Sequence, residues 1–405
     1  MPHHDSHAES EVRIMSQAAT VGAKAPWSRG LPLPVAMLLA ALALGIAGGM
    51  DTAHLLAALD AGFGGSLGSY ALILIPSFTL AAALAGEGDA VGSGRAAAFM
   101  APFAGAAMIC PDTAYAALGP MAGRRRLSVL FGAYAGFKLL VPAGPAIIGT
   151  ALGGLSADLI ALSLPVFLVA WGVGWAYARR FEPGERARRR EAGGPLPRRV
   201  LAPLATLAGL LALGFVLRGR WTPPALLDFL LDPKGALLAA GVVALVPLAG
   251  PGRAAAIESG MRRTGPLLLT IGSASAFGAM LVAVLPVERW AQALVGTGLV
   301  LPALFIFTAS FKLAKGSSMA TFAGTSGIVA ALLPGLGVSP ALATLAMCAG
   351  AFVTIAPNDS LYWLARQDAL PGRDGAAITR ILAGGATLQG LAALAVVLAF
   401  QAAGW

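Results

Sequence analysis

The sequence predicts an all-α polytopic membrane protein, and three observations carry that assignment. Apolar runs of bilayer length recur from Leu31 to Phe400; at about 20 residues per crossing they give roughly ten to twelve transmembrane helical segments. Hydrophobic residues make up 57% of the chain and charged residues 12%, where a soluble domain carries about 25% charged. The runs are long and unbroken rather than short and alternating, which excludes a strand-built barrel.

Residues 1–30 are polar and without apolar periodicity, so they read as a disordered tail. Leu31 to Gly48 is too long and too weakly basic at its front for a cleaved signal and is kept as a span. His54 to Phe63 reads as a short amphipathic piece, and the small residues of Gly62 to Ser69 lead into the apolar run Tyr70 to Ala85. Ala96 to Leu118 is interrupted by Cys110-Pro111-Asp112-Thr113, where a lost backbone hydrogen bond and an intramembrane carboxylate coincide. Leu127 to Leu152 is interrupted by Lys138 and by Pro142-Ala143-Gly144-Pro145, and one more span ends near Tyr177. Beyond residue 199, Val200 to Val216, Ala225 to Leu248, Pro266 to Val287 and Ala291 to Phe311 read as spans. The glycine-rich stretch Lys312 to Gly327 follows, with Lys312 and Lys315 at its head. Then come Pro340 to Ala356, the break Pro357-Asn358-Asp359-Ser360, and a last span, Ile378 to Ala403.

Charge fixes sidedness. The formal charge is +9, and eight arginines against three glutamates between Ala178 and Arg199 concentrate more than half of it in one loop. A basic loop between membrane segments reads as cytoplasmic, and Arg124 to Arg126, two crossings earlier, and Arg253, Arg262 and Arg263, two crossings later, fall on the same side. Neither aromatic interleaving nor a motif supports nucleic-acid binding. Cys110 and Cys348 lie in apolar segments, which indicates neither a disulfide framework nor a thiolate metal site. Beyond His54 there is no imidazole, so no metal site and no cofactor is expected.

The basic loop, 178–199, thus divides a first membrane half, 31–177, from a second, 200–405, and each half holds two interrupted segments. These are Pro111 to Thr113 and Lys138 to Pro145, then Lys315 to Thr321 and Pro357 to Ser360. Broken hydrophobic segments in corresponding places of two halves are the best sequence pointer to a secondary transporter's binding site. Proline kinks in a bundle would explain one such interruption, but not readily four that each carry a charged residue. Half-helix amino-terminal ends at the midplane favour an anion. The residues expected to bind a small carboxylate are therefore Lys138, Gly144, Lys312, Lys315, Gly316, Ser317, Ser318, Thr321, Asn358 and Ser360. For the lysines the competing reading is a helix end that snorkels to the water boundary. Asp112 and Asp359 are expected to carry the coupling ion, or alternatively each simply neutralises a lysine. Proton coupling is the first expectation. Sodium held by Asp359, Asn358 and backbone carbonyls is the alternative. An intramembrane enzyme would need an activated nucleophile or a metal, and the sequence shows neither; a channel fits four interruptions less well than a moving site does.

Three segments together resemble the gluconate permease family of the ion-transporter superfamily: Ala61 to Ser69, Gly316-Ser317-Ser318-Met319-Ala320-Thr321 followed by Gly327-Ile328-Val329, and Asn358-Asp359-Ser360-Leu361-Tyr362-Trp363-Leu364. The resemblance implies a bacterial inner-membrane symporter for sugar acids such as gluconate, or related hydroxy and amino carboxylates. It also implies a homodimer with a scaffold and a moving domain, built from two inverted repeats that contain broken helices and re-entrant hairpins. Departures from the family pattern are concentrated in the charges. Lys312 stands where the family has arginine and Lys315 where leucine is usual; Asp112 stands at a glutamate position, and Ala356-Pro357 replaces a histidine before the Asn-Asp pair. Three lysines without histidine imply a more electropositive site and a coupling step that relies on aspartate.

Overall fold

The computed structural model describes residues 31–64, 67–84, 94–153, 155–182, 198–217, 223–285, 295 and 297–405. The amino-terminal tail, most of the basic loop (183–197), and Gly65 and Ser66 lie outside the described residues. Those described are helical and include no strand.

Proline, glycine and capping residues set the helix boundaries. In chain order the helices are α1 (Leu33–Ala47), α2 (Thr52–Gly64), α3 (Leu67–Leu84), α4 (Gly94–Ala107), α5 (Pro111–Leu118), α6 (Arg126–Leu139), α7 (Gly144–Leu152) and α8 (Ala157–Ala178). After the basic loop come α9 (Arg198–Leu217), α10 (Ala225–Leu231), α11 (Pro233–Leu245), α12 (Gly250–Val284), α13 (Val300–Lys315), α14 (Ser318–Leu332), α15 (Pro340–Gly350), α16 (Ser360–Leu364) and α17 (Gly375–Ala402). Ser156, Asp232, Ser317, Ser339, Asp359 and Asp374 each accept a backbone N–H at the start of the helix that follows. Such a cap is worth about 1 kcal/mol.

Among the described residues, six stretches are long and apolar enough to cross a bilayer: Thr52–Leu84, Arg126–Leu152, Ala157–Ala178, Gly250–Val284, Ser318–Gly335 and Gly375–Ala402. Three shorter apolar helices, Leu33–Ala47, Pro233–Leu245 and Pro340–Gly350, accompany them. Leu164 and Leu168 of α8 are about half exposed, as befits a helix face turned to lipid. Helix α6, by contrast, is buried from Leu127 to Leu139 and forms the centre of the bundle. Gly136 lets it meet α4 backbone to backbone, since a Cβ there would strike the Pro102 carbonyl. Gln389 of α17 donates to Phe131 O of α6 at 3.2 Å and to Ala170 O of α8 at 3.1 Å. At the entry of α6, Glu182 folds back from beyond α8 and accepts from Ser128 N (2.7 Å) and Ser128 Oγ (2.9 Å).

One order of elements occurs twice. Helices α4 and α5 pack together as a hairpin, α6 and α7 are the halves of an interrupted helix, and α8 is a long span. In the second half α13 and α14 pack as a hairpin, α15 and α16 flank an unwound stretch, and α17 is the long span. Of the remaining helices, α1, α2 and α3 pack on α12, which also packs along α14.

Three elements differ from the sequence reading. The expected span Ala225 to Leu248 is two helices, because Asp232-Pro233 ends α10 and caps α11. Helix α12 begins at Gly250 and carries Arg253, Arg262 and Arg263 on a continuous helix rather than in a loop; Pro266 is accommodated inside it. The polar stretch Lys312 to Gly327 is mostly helical, with its backbone opened only at Gly316 and Ser317. Gly316 has φ +72°, a conformation that ends α13 and that other residues rarely adopt.

Candidate functional site

The four interruptions converge: each hairpin tip meets the break of the other half, and the second tip also meets the break of its own half. At the second break, Lys312 in the last turn of α13 is 0% exposed and Asp359 5%. The Lys312 ammonium donates to the Asp359 carboxylate (Oδ2) and to the Gly316 carbonyl. The other oxygen, Asp359 Oδ1, accepts from Leu361 N at 3.0 Å and so caps α16. Asn358 Nδ2 donates to Leu313 O at 2.9 Å, which ties the unwound stretch to α13, and a Cβ on Gly316 would strike the Asn358 carbonyl. One carboxylate therefore fixes a helix start and neutralises a buried cation at once. Desolvation makes such a pair sensitive: removing one partner leaves a bare charge and costs roughly 3–5 kcal/mol.

The first hairpin tip approaches the same break from the other side. Ser360 Oγ donates to Asp112 Oδ2, which joins the start of α5 to the start of α16. Thr113, the next residue, accepts at 3.4 Å from Arg263 Nη1 of α12. Two residues before Pro111, Ile109 has φ +46°, and Thr354 in the unwound stretch has φ +64°. Both are β-branched and both stand in the left-handed region, so backbone strain is placed at this tip and at this break.

At the first break, Lys138 is fully buried, and its ammonium donates to Ser318 Oγ of the second tip at 2.5 Å. Four rings surround it. Its Nζ lies 4.1 Å from the Tyr134 centroid and 5.4, 5.5 and 5.6 Å from those of Phe137, Phe322 and Phe352. Each face is worth about 0.5–2 kcal/mol to a desolvated cation. Gly144 packs on the Lys138 carbonyl, where a Cβ would come within 2.5 Å. Ser317 caps α14 through Ala320 N at 3.3 Å, and Thr321 Oγ1 donates to Ser317 O at 2.8 Å.

Lys138, Ser318, Lys312, Gly316, Asp359, Asn358, Ser360 and Asp112 are thus connected through tips and breaks. Gly144, Ser317 and Thr321 shape the backbone there. Lys315 does not join the cluster: its side chain is exposed at the end of α13. The sequence reading did not single out two further sets of residues. The first is the aromatic cage of Lys138, which reads in sequence as ordinary apolar packing. The second is a latch in which Arg126 Nη1 pairs with Asp368 Oδ1 at 2.5 Å and Tyr115 OH donates to Asp368 Oδ2 at 2.6 Å, joining α5 and α6 to the turn after α16.

Long apolar helices, paired interruptions that meet inside the bundle and buried charges at the breaks define a multi-pass membrane transporter rather than an enzyme. The family model of the GntP family permeases matches residues 32–99 and 212–370, over half of the chain, and the chain belongs to that family. The unmatched segment between them contains Asp112, Lys138 and Gly144. No curated protein sequence matches. Among solved structures the chain is similar to the YdaH transporter of Alcanivorax borkumensis, with TM-score 0.69 and 16% identity over 93% of this chain and 99% of that one. It is also similar to Neisseria gonorrhoeae MtrF, described with a class of antimetabolite efflux pumps, with TM-score 0.56 and 14% identity over 91% and 95%. At these identities the likeness is one of fold. Family and fold together make the chain a secondary transporter of a small molecule, set in lipid.

Proposed function

We propose that the chain imports a small organic acid, a sugar acid such as gluconate or a related hydroxy or amino carboxylate, by proton symport with alternating access. The observation that carries this reading is the meeting of tips and breaks around two lysines and two aspartates. In this reading the substrate carboxylate competes with Asp359 for Lys312, and Asp359 takes up the proton that keeps the emptied position neutral. Asp112, bonded to Ser360, is the second carboxylate able to accept a proton. Lys138 with Ser318, Asn358 and the Gly316-Ser317 backbone line the same space, with Gly144 and Thr321 fixing its shape and Lys315 at its edge. The repeated part, α4 to α8 with α13 to α17, is the moving domain. Helices α1 to α3 and α9 to α12 form a scaffold through which two copies pair in the bacterial inner membrane.

The reading is tested by uptake of labelled gluconate into proteoliposomes. An inward proton gradient is expected to raise uptake and a protonophore to abolish the rise. Uptake that ignores the proton gradient but follows a sodium gradient transfers the coupling to sodium, and no uptake of any carboxylate under either gradient rejects the substrate class.

A further inference from the structure

We infer that Arg263 of α12 is a carboxylate anchor of the transport site, contributed from outside the repeated helices. This rests on the proposed carboxylate substrate and names a further cation that holds it. Both buried lysines are already engaged, Lys312 by Asp359 and Gly316, Lys138 by Ser318 and the aromatic rings. Taken as ionised, these two lysines with Asp359 and Asp112 sum to zero charge. Until Asp359 takes up its proton, an anion entering that neutral cluster needs a further cation.

Arg263 is placed to supply it. It is exposed, and its guanidinium sits over the Phe78 ring, 5.4 Å from the centroid. One arm, Nη1, makes a long 3.4 Å hydrogen bond to Thr113 Oγ1 at the first hairpin tip. Thr113 follows Asp112, whose carboxylate accepts from Ser360. The guanidinium therefore stands beside the junction of tip and break. A guanidinium has five N–H donors in a fork that fits a carboxylate, and among the described residues Thr113 is the one hydrogen-bond acceptor that Arg263 has. Its neighbour Arg262 differs on this point, being paired with Glu258 at 2.8 Å. Lys315, exposed at the end of α13, has no hydrogen bond to the first hairpin tip among the described residues, and exposed Arg366 sits over the Trp363 ring, 5.4 Å from its centroid. The contact with Thr113 is also a contact between the proposed scaffold and the proposed moving domain. An anion bound there bridges the two parts.

The test is equilibrium binding of gluconate to the purified full-length protein, with uncharged gluconamide as the comparison probe. Arg263→Gln is expected to weaken gluconate binding roughly tenfold or more, the loss typical of a charge-assisted hydrogen-bonded pair, while the weak binding of gluconamide stays within about twofold. Arg263→Lys is expected to recover part of the loss, because it restores the charge without the fork, and Arg262→Gln is expected to bind like the parent. An unchanged gluconate affinity in Arg263→Gln overturns the inference, as does an equal loss for both probes, which marks a structural role. Should Arg263→Gln not fold, Arg263→Lys decides: binding equal to the parent overturns the anchor, and a measurable loss specific to gluconate supports it. If the parent protein binds no carboxylate, the substrate reading itself fails; if the parent binds and Arg263→Gln matches it, only the anchor fails.

Discussion

Substituting Asp359 by Asn separates charge from geometry at the centre of the site. Asp359 has two tasks, Oδ1 capping α16 through Leu361 N and Oδ2 receiving the Lys312 ammonium. Asparagine caps a helix about as well as aspartate, so Asp359→Asn retains the first task and removes the second. What remains is a lysine with 0% exposure whose carboxylate partner has become neutral. Breaking such a buried pair on one side costs roughly 3–5 kcal/mol, and removing both charges together is often close to neutral. Asp359→Ala removes the cap as well and adds about 1 kcal/mol. The expected order of thermal unfolding midpoints is therefore the parent and Lys312→Met/Asp359→Asn close together, then Asp359→Asn, then Asp359→Ala. The midpoints are read by tryptophan fluorescence in detergent. Concentrative gluconate uptake is expected to be lost in every one of the three variants. A midpoint for Asp359→Asn equal to the parent refutes the buried-pair argument, and an Asp359→Asn protein that still concentrates substrate refutes the coupling role.

Four further outcomes are expected. Gly316→Ala forces a side chain into a backbone with φ +72° and against the Asn358 carbonyl, so it is expected to lower folded yield sharply, as measured by size-exclusion recovery. Thr354→Asn, which tolerates the left-handed conformation better, is expected to stabilise by about 1 kcal/mol, read as a raised melting midpoint. Ser318→Ala removes the one hydrogen-bond acceptor that Lys138 has among the described residues and is expected to cost about 1–3 kcal/mol by the same measurement. Outside the spans, burial holds the Glu182 carboxyl above its ordinary range, against the opposing effect of the Ser128 hydrogen bonds. A carboxyl with a raised folded-state pKa binds more protons folded than unfolded, so stability falls as pH rises from the ordinary carboxylate range through the raised value. Glu182→Gln is expected to flatten that part of a melting-versus-pH curve.

The places where the chain breaks were legible because each break carries its own chemistry. Pro111, Gly144-Pro145, Gly316 and Pro357 cannot continue a helix cheaply, and a charge beside each marks protein rather than lipid around it. The partners across the breaks were not legible. Nothing in Lys138 names Ser318, 180 residues away, and nothing in Asp112 names Ser360. Those pairings follow from hairpins folding back, a matter of direction that apolar periodicity does not encode. Lys312 and Lys315 show the same limit at close range. Three residues apart on one helix, they look equivalent in sequence, yet one points into the bundle and the other out of it.

Arg263 carries that lesson further. Beside Arg262 and not far from Arg253 it reads as one more positive charge marking the cytoplasmic side, and that reading holds for Arg262 with its Glu258 partner. Helix α12 is longer than the apolar run within it, and its first turns carry Arg263 past Phe78 to the tip that holds Asp112. A charge that serves topology in sequence thereby gains a second task in space. On the anchor proposed above, the sign of the substrate is set, while Asp359 is ionised, by a residue that the breaks themselves do not contain.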